Sequence, residues 1–423
     1  MLTREENEYL CRVGPGTPMG SLFRRYWMPA VIASRLPAPD CPPVAFRLLG
    51  ERLVAFRDSE GHVGVLDELC CHRGASLALG RVEDCGIRCL YHGWKFGADG
   101  TIQETPNLPD SRFKERVRAP AYPVREAAGL IWVYLGPTEK QPPFPTYSWM
   151  DEGAPVRAVE LVFDWNWAQV MEGLLDSSHV GVLHVDEIGA VTDGEYRDTK
   201  TGRDGYPTRD NAPKIEVRNT DFGFHYAALR QPTEGGDDDC YVRITPFIMP
   251  SMCYIPPSGP GALIVVPRDD SLTSQIAVGV TGPTTNSQST ARLLGMGFVG
   301  PDGRVQLPPQ DREAMARGDS FCGVPGIPVQ DALVQGSMGA IFDRSKEHLV
   351  PADLAVIRMR RLLIESARRV EAGGDPVGLD RDVGTKEIAC FSGLMARSTP
   401  WRQMVPGNVE IDSASAGAEP VLT

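Results

Sequence analysis

The stretch CCHRGASLALGRVEDCGIRCLYHGWKFGADG, residues 70–100, decides the fold of this chain. It holds two short motifs, each with one cysteine and one histidine, namely Cys70-x-His72 and Cys89-x-x-His92. A glycine follows each motif, Gly74 or Gly93, and lets the backbone take conformations that other residues avoid. Strand-like segments precede both motifs, so we expect two rigid loops at the ends of strands. Two thiolates and two imidazoles held in this way predict a metal centre.

Two metal groups fit this set of ligands. Tetrahedral zinc accepts two cysteines and two histidines. A Rieske [2Fe–2S] centre holds one iron by two cysteines and the other by two histidines. The spacing favours the Rieske centre, because each loop offers one cysteine and one histidine, so each iron can take one ligand from each loop. Zinc modules more often pair like residues, as C-x₂-C followed by H-x₃-H.

Length and composition limit the class of protein. The 423 residues can bury a large core and form two or three domains. A net charge of −12 argues against a nucleic-acid partner, because phosphate binding needs a basic face. We find no apolar run near the roughly 18 residues that span a bilayer, and the opening segment MLTREENEYL lacks the apolar core of a signal peptide. We therefore expect a cytoplasmic protein with no membrane partner, in which clustered cysteines indicate metal.

The pattern along the chain predicts a helical lead-in over residues 1–40, a small β domain over 41–145 and an α+β domain over 150–423. Short strand-like segments separated by turns fill residues 44–66, and GLIWVYLG closes the β domain. The segment QPPFPT, residues 141–146, cannot continue regular structure and is typical of a linker.

Strands and helices are both predicted in the larger part. The strand-like segments are FGFHYAAL (222–229), YVRITPFIM (241–249) and ALIVV (262–266). Apolar residues recur at helical spacing in residues 355–363, which predicts a C-terminal helix. Residues 162–184 lack strand alternation and predict a helix from about Trp167.

Histidines indicate a second metal site in this larger part. The chain has seven histidines, and two of them, His179 and His184, lie close together in DSSHVGVLH. Two imidazoles and one carboxylate on one face form the triad of non-haem Fe(II) oxygenases, which leaves positions open for O₂. Residues five apart on a regular helix lie about 140° apart, so both rings could not face one iron. We therefore expect a kink or a π-type turn between them, at Gly181.

Together these motifs resemble the Rieske non-haem iron aromatic ring-hydroxylating oxygenases. The resemblance rests on Cys70-x-His72-Arg73-Gly74, Cys89-x-Tyr91-His92-Gly93-Trp94 and Asp176-x-x-His179-x₄-His184. It covers nearly the whole chain from GPGTPMGSLFRRYW (14–27) onward and is to oxygenase α subunits of the phthalate 4,5-dioxygenase type. That group implies an all-β Rieske domain, then an antiparallel-sheet helix-grip (Bet v 1/START-like) domain, in a homotrimer or hexamer. Two departures are Cys71, where relatives usually have proline, and Gly173, where many have asparagine.

The resemblance also implies roles for single residues. The ligands of the [2Fe–2S] cluster would be Cys70, His72, Cys89 and His92, and those of a mononuclear Fe(II) would include His179 and His184. Asp176 would bridge an iron-bound histidine and a cluster histidine of a neighbouring subunit. The segment IPVQDALVQGSMGAIFDRSKEHL, residues 327–349, implies Asp331 as the third iron ligand. Asp343 is the rival, which could instead pair with Arg344 or cap a turn.

Three further signals concern the substrate and the electron supply. Arg243, in YVRITPF, is a candidate to bind a carboxylate on an aromatic substrate, although a protein carboxylate could pair with it instead. His225 could line the pocket or belong to the core. GMGFVG (295–300) matches a dinucleotide fingerprint, but its polar and proline-rich flanks do not predict the strand and helix that the fingerprint needs. We therefore expect NAD(P)H and flavin only in a separate reductase.

The expected activity is O₂-dependent hydroxylation of an aromatic compound, with an aromatic acid as the favoured substrate. Cis-dihydroxylation and oxidative O-demethylation of a lignin-derived methoxylated acid both fit, with electrons from a reductase or ferredoxin. Two other classes stay open. One is a Rieske electron carrier, which needs only residues 40–140, and the other is a zinc-binding protein without enzymatic activity.

Overall fold

The computed structural model describes residues 1–109, 112–150, 156–187, 210–232, 236–256, 261–280, 297–379 and 387–405. Within these ranges the strands are β1 (Trp27–Ile32), β2 (Val44–Leu48), β3 (Glu51–Arg57), β4 (Val63–Asp67), β5 (Arg81–Glu83), β6 (Gly86–Arg88), β7 (Lys95–Phe96), β8 (Ile102–Glu104), β9 (Val124–Ala127), β10 (Leu130–Tyr134), β11 (Val156–Phe163), β12 (Lys214–Thr220), β13 (Gly223–Arg230), β14 (Asp239–Ile248), β15 (Met252–Cys253), β16 (Gly261–Pro267), β17 (Thr273–Val280) and β18 (Phe391–Ala396). The helices are α1 (Arg4–Cys11), α2 (Pro18–Phe23), α3 (Phe113–Arg116), α4 (Trp167–Leu175), α5 (Val180–Leu183), α6 (Arg312–Arg317), α7 (Ile327–Ser337) and α8 (Leu354–Glu371). Residues 295–296, where GMGFVG begins, lie outside the described ranges.

Three small antiparallel sheets form the part of the chain whose loops carry the cysteine–histidine motifs. The first has the order β1-β10-β9, the second β2-β3-β4 and the third β5-β6-β7-β8. Phe56, Leu77 and Phe96 are completely buried in the core beneath the motifs. The first motif follows β4 and the second connects β6 to β7, so both lie in loops that strands hold at their ends, as the sequence predicts.

The helical lead-in predicted over residues 1–40 is wrong for part of its length. Helices α1 and α2 are present, but residues 27–32 form strand β1, in which Trp27 lies opposite Tyr134 of β10. The aromatic and β-branched residues of this segment suit a strand, and the fully buried β10 offers them an apolar partner. The domain limits at residues 40, 145 and 150 stay predictions.

The larger part is built on one antiparallel sheet. Its strand order is β11-β17-β16-β15-β14-β13-β12, and β18 pairs with the first half of β14. Helix α4 packs against β15, β16 and β17, and the long C-terminal helix α8 packs against β12. The predicted strands at 222–229, 241–249 and 262–266 appear as β13, β14 and β16. An all-β part followed by an antiparallel sheet with helices on it confirms the predicted α+β fold class.

No helix in the described part of the chain has the length and apolar character needed to cross a membrane.

A buried ion cluster fastens α4 to the rest of the larger part. Glu172 on α4 accepts hydrogen bonds from Arg344, at 2.7 Å to Oε1 and 2.9 Å to Oε2, and from Arg360 of α8 at 2.7 Å. Arg344 also donates to Asn7 of α1 at 3.0 Å. Burial disfavours the charged carboxylate, but the two guanidinium groups outweigh it and lower the pKa of Glu172 below its usual 4.5. One carboxylate therefore ties together α1, α4 and α8.

We expect Glu172→Gln to destabilise the protein by about 3–5 kcal/mol near neutral pH, because the buried Arg344 loses its counterion and the buried Arg360 keeps only Glu347. Since the pKa of Glu172 is lowered on folding, its contribution is present above pH 4.5 and is lost as pH falls through the folded-state pKa. The urea midpoints of variant and wild type should therefore converge as the pH falls below 4.5.

Glu8→Gln is the control, because Glu8 forms an exposed pair with Arg12 that should contribute less than about 1 kcal/mol. Equal effects of the two substitutions, or a difference that grows in acid, would contradict this account of the cluster.

Candidate metal centres and substrate pocket

The two cysteine–histidine loops have the same backbone turn. In the first loop the amide of Gly74 donates to the carbonyl of Cys70 at 2.8 Å, and in the second the amide of Gly93 donates to that of Cys89 at 3.0 Å. Gly74 has φ +74° and Gly93 has φ +73°, which is the left-handed region that favours glycine. The glycines of the motifs are therefore required by the turns that hold the ligands.

Between the two loops the two cysteines lie beside each other, and so do the two histidines. Both cysteines are buried, and burial together with the neighbouring Cys89 raises the pKa of the Cys70 thiol to about 12. The rings of His72 and His92 lie 4.5 Å apart in an edge-on arrangement. Nδ1 of His92 is buried and has no hydrogen-bond partner among the described residues. Thiol beside thiol and imidazole beside imidazole fit a cluster whose two irons take different ligands, and they suit a single tetrahedral zinc less well.

Aromatic rings flank both histidines of this pair. The indole of Trp94 stacks on His72 with ring centres 4.4 Å apart and planes 3° apart, and its Nε1 donates to Oδ1 of Asn107 at 2.8 Å. The ring of Tyr91 lies 3.9 Å from that of His92. Asn107 carried no signal in the sequence, because its partner is thirteen residues away and is identified only by folding.

The second metal-binding group is formed by His179, His184 and Asp331. Their ligand atoms all lie within 4.8 Å of one another. In the described ranges, no other three His, Cys, Asp or Glu side chains bring their ligand atoms together around a single point in this way. Oδ1 of Asp331 lies 3.1 Å from Nε2 of His184 and 3.5 Å from Nε2 of His179. Two imidazoles and one carboxylate about one point are the ligand set of a non-haem Fe(II) site.

The local backbone explains how two histidines five residues apart reach one point. Helix α4 ends at Leu175, and Asp176 has an extended ψ of 110°. Oδ1 of Asp176 accepts hydrogen bonds from the amide of Ser178 at 2.8 Å and from its hydroxyl at 2.7 Å, and such a side-chain turn competes with helical bonding. His179 and His184 then lie at the two ends of the short helix α5.

The prediction of a kink at Gly181 is therefore wrong. Residues around Gly181 are helical, and the helix is interrupted on both sides, at residues 176–178 and at His184, whose φ of −100° and ψ of 17° leave the helical region. A Cβ at Gly181 would lie 2.0 Å from Oδ1 of Asn211, the end of an exposed side chain that can move away, so the structure gives no steric requirement for glycine here. The sequence Asp-Ser-Ser was the available signal for the turn, since both residue types favour such local bonding.

Opposite charges within the group shift the pKa values of His179 and Asp331. Burial disfavours the charged imidazolium of His179, but Asp176 and Asp331 outweigh it and raise its pKa to about 9. Burial would likewise raise the pKa of Asp331, and the two histidines instead hold it at about 2. The carboxylate is thus ionised at neutral pH and able to bind a cation.

A hydrogen bond to His184 and an ion-pair contact to His179 orient the rings from behind the group. Nδ1 of His184 lies 2.7 Å from Oε1 of Gln330, whose Nε2 donates to the carbonyl of Val324 at 3.0 Å. Nδ1 of His179 lies 3.5 Å from Oδ2 of Asp176. Such outer contacts leave the Nε2 atoms free to face a metal. Gln330 was missed by the sequence reasoning, although it directly precedes Asp331.

The structure distinguishes Asp331 from Asp343, the two candidates for the third iron ligand. Asp343 caps a turn, where it accepts from Ser345 at 3.2 Å and pairs with Lys346 at 3.2 Å, and it is not part of the metal-binding group. At Gly173 a Cβ would lie 2.4 Å from Nε2 of Gln335. A side-chain amide is therefore present beside residue 173 after all, but α7 supplies it.

One face of the large sheet turns towards these helices. Arg230 of β13 donates to the carbonyl of Ser177 at 2.5 Å, directly beside the metal-binding segment. Ala228 lies two residues earlier on β13 and opposite Arg243 of β14. Because alternate residues of a strand share a face, the buried Arg243 lies on the same face as Arg230, as expected for a residue that points into the larger part.

Tyr226 and Thr245 are opposite each other on this face. Burial raises the pKa of the Tyr226 hydroxyl to about 12; the charge of Arg243 opposes the rise and that of Asp176 adds to it. The tyrosine therefore lies within electrostatic reach of both the arginine and the metal-binding segment. This face of the sheet is the candidate substrate-binding surface.

His225 lies on the other face of the sheet. It is fully buried opposite Arg218 of β12, and its Nε2 lies 3.1 Å from the carbonyl oxygen of Ala389. Burial lowers its pKa to about 4, so the ring is neutral. Of the two roles left open for His225, the core role is correct.

Comparison with known proteins gives the family. A model described as Rieske [2Fe-2S] domain matches residues 26–123, and one described as LigXa C-terminal domain like matches residues 133–421. The chain is 38% identical over 437 residues to the phthalate 4,5-dioxygenase oxygenase subunit of Pseudomonas putida, with 99% of each chain covered. It is 31% identical over 388 residues to the 5,5'-dehydrodivanillate O-demethylase oxygenase subunit of Sphingobium sp., covering 90% of this chain and 84% of that one.

Solved structures agree on the fold. The reduced complex between oxygenase and ferredoxin in carbazole 1,9a-dioxygenase contains a chain that superposes with a TM-score of 0.57 at 18% identity, covering 86% of this chain and 94% of that one. The chain belongs to the Rieske non-haem iron aromatic ring-hydroxylating oxygenases, in the phthalate 4,5-dioxygenase-like group of oxygenase subunits. It is accordingly an oxidoreductase that oxygenates aromatic compounds with O₂ and carries a Rieske [2Fe–2S] cluster and a mononuclear iron.

We expect Asp331→Ala to remove the mononuclear iron while the visible spectrum of the cluster stays unchanged, because Asp331 supplies the only carboxylate of the group of three. Asp343→Ala is the matched control and should keep full iron, since Asp343 only caps a turn. Iron and acid-labile sulfide analysis of the three proteins is the measurement. Full iron in the Asp331 variant, or iron loss in the Asp343 variant, would overturn the choice between these aspartates.

Proposed function

We propose that this chain hydroxylates an aromatic carboxylate at an iron held by His179, His184 and Asp331. The observation that carries the proposal is the open group of two imidazoles and one carboxylate beside a sheet face that holds the buried Arg243. When bound there, the mononuclear iron supplies O₂ activation, with electrons relayed from the Rieske cluster. Cys70, His72, Cys89 and His92 are the proposed ligands of that cluster.

Asp176 has two tasks in this proposal. One carboxylate oxygen fixes the turn through Ser178, and the other lies 3.5 Å from Nδ1 of His179. The second contact orients the imidazole and balances its charge. We infer that the same carboxylate reaches a cluster histidine of a neighbouring subunit and so connects the two metal centres.

Exposed apolar residues near both centres support such a subunit contact. Leu90 and Tyr91, in the second cluster loop, are 60% and 56% exposed, and Val182 and Val185, beside the iron ligands, are 41% and 45% exposed. A patch on one end of a chain that fits a different patch on the next chain generates a ring when the rotation closes. We propose a head-to-tail homotrimer, or a hexamer made of two such rings.

The buried Arg243 is the proposed anchor of the substrate. A guanidinium group binds a carboxylate through two parallel hydrogen bonds, and a low-dielectric pocket strengthens that contact. The relatives named for phthalate and 5,5'-dehydrodivanillate support an aromatic acid. Their names also support both outcomes for the product, a cis-diol or a phenol released by O-demethylation. In the second case, hydroxylation of a methoxy carbon gives a hemiacetal that collapses to formaldehyde and a phenol.

The electrons come from a separate protein in this proposal. The complex of a structural relative with ferredoxin supports a ferredoxin or a reductase as the donor. Flavin and NAD(P)H belong to that donor, and we propose the cytoplasm as the compartment where both proteins work.

We expect Asp176→Asn to keep both metals but to slow reoxidation of a prereduced cluster by about 10- to 100-fold in the presence of O₂ and substrate, because the bridge between the centres loses its charge. Stopped-flow absorbance of the cluster is the measurement. Asp353→Asn is the control, since Asp353 caps a turn through the amide of Val350. A normal rate in the Asp176 variant would refute the bridging role.

Oxygen uptake tests the activity directly. With a surrogate reductase and NADH, we expect uptake with benzoate- or phthalate-like acids and an oxygenated product by mass spectrometry. Arg243→Ala should raise KM for the acid by about 10- to 100-fold and leave KM for its uncharged analogue almost unchanged, because one charge-assisted contact is lost.

The control is Arg218→Ala. Arg218 has the same 9% exposure as Arg243 but lies on the opposite face of the sheet. A rise in KM for both substrates, or the same rise in both variants, would mean that Arg243 acts structurally. Absence of uptake with every aromatic acid, from a protein with both metals bound, would refute the substrate class.

A further inference from the structure

A basic surface lies beside the cluster loops, on the side of His72. We define it as the α3 face, made by Leu108, Arg112, Phe113, Lys114, Glu115 and Arg116. All of these residues are exposed except Lys114, which is half-buried. Two apolar side chains with positive charges around them have the composition of a small protein-docking surface, with an apolar centre and a polar rim.

The charge of this face is opposite to that of the whole chain. Residues 112–118 contain four basic side chains and one acidic side chain, whereas the chain has a net charge of −12. Arg118 is paired with Asp99 at 3.3 Å. Neither Arg112 nor Arg116 forms an ion pair with another residue in the described ranges. A local positive patch on an acidic protein favours an acidic partner and speeds its association.

Aromatic rings in contact lead from this face to the cluster. Phe113 meets Trp94 edge-on with ring centres 5.7 Å apart, and Trp94 stacks on His72 at 4.4 Å. The hydrogen bond from Trp94 to Asn107 holds the indole in this position. The α3 face is therefore two ring contacts away from a proposed cluster ligand.

We propose that the α3 face is the docking site of an acidic one-electron carrier protein, such as a [2Fe–2S] ferredoxin or the ferredoxin-like domain of a reductase. This rests on the function proposed above. In each encounter the reduced carrier loses one electron and the oxidised cluster gains it, and no bond is made or broken. A plant-type ferredoxin has a lower reduction potential than a Rieske centre and can therefore reduce it.

The two histidines of the cluster then have different neighbours. His72 faces the α3 face through Trp94, and His92 faces Tyr91 at 3.9 Å. Tyr91 belongs to the loop that we assign to the contact with the next subunit. Electrons could thus arrive at one imidazole and leave from the other, so the donor and the neighbouring subunit would not compete for one surface.

The test is a charge reversal, Arg112→Glu with Arg116→Glu, in the full-length protein with its metals bound. The probe is an acidic plant-type [2Fe–2S] ferredoxin, and binding is measured by calorimetry at low ionic strength. We expect Kd to rise at least tenfold, and the second-order rate of cluster reduction by the reduced ferredoxin to fall by a similar factor. The differences should shrink in about 0.5 M salt, which screens surface charges. Reduction by dithionite should be unchanged.

The control pair is Arg125→Glu with Arg361→Glu, which makes the same charge change at two exposed positions outside the α3 face. The proposal is wrong if the two double variants behave alike, or if wild-type protein does not bind the ferredoxin. It is also wrong if the α3 variant changes the oligomeric state, because the face would then contact a second copy of the chain.

A failure of this proposal is distinguishable from a failure of the proposed function. Loss of the cluster spectrum or of O₂ uptake in the wild type would concern the latter, whereas the calorimetric measurement needs no turnover.

Discussion

The geometry of the candidate iron site depends on one carboxylate that contacts two imidazoles from a distant part of the chain. Oδ1 of Asp331, on α7, lies 3.1 Å from His184 and 3.5 Å from His179. The three ligands can meet at one point only if α5, which His179 and His184 flank, and α7, which carries Asp331, keep fixed positions relative to α4. Glu172 fixes α4 through two buried arginines, and Gln330 fixes the ring of His184. The large sheet supplies the remaining wall of the site, and with it the position of Arg243.

The cluster loops follow a different physical rule. Their ligands are close in sequence, and each loop is a tight turn closed by a glycine of positive φ. Short strands suffice to hold such turns, so the part of the chain around the cluster can be small. The consequence is a half-buried pair of histidines with an aromatic ring on each side. In the proposed assembly, the separate aromatic neighbours give the cluster two directions for electron transfer, one towards the donor and one towards the iron of the next subunit.

Local signals were readable from the sequence, and contacts across the chain were not. The cysteine–histidine motifs, the strands β13, β14 and β16 and helix α8 follow from spacing and periodicity. The turn at Asp176 was misplaced to Gly181, because the spacing shows that a break is needed but not which residue makes it. Asp331 was preferred to Asp343 by resemblance alone, since both lie in one segment and neither has a spacing to the histidines that singles it out. Glu172, Gln330 and Asn107 gave no signal, because each has a partner that only folding brings near.

The most direct test of two metal centres in one chain is the metal content of the wild-type protein after anaerobic reconstitution. The account predicts about three irons and two acid-labile sulfides per chain, with the visible spectrum of a Rieske cluster. Two irons with two sulfides would mean that the site of His179, His184 and Asp331 holds no iron. A colourless protein that contains zinc would contradict the account as a whole.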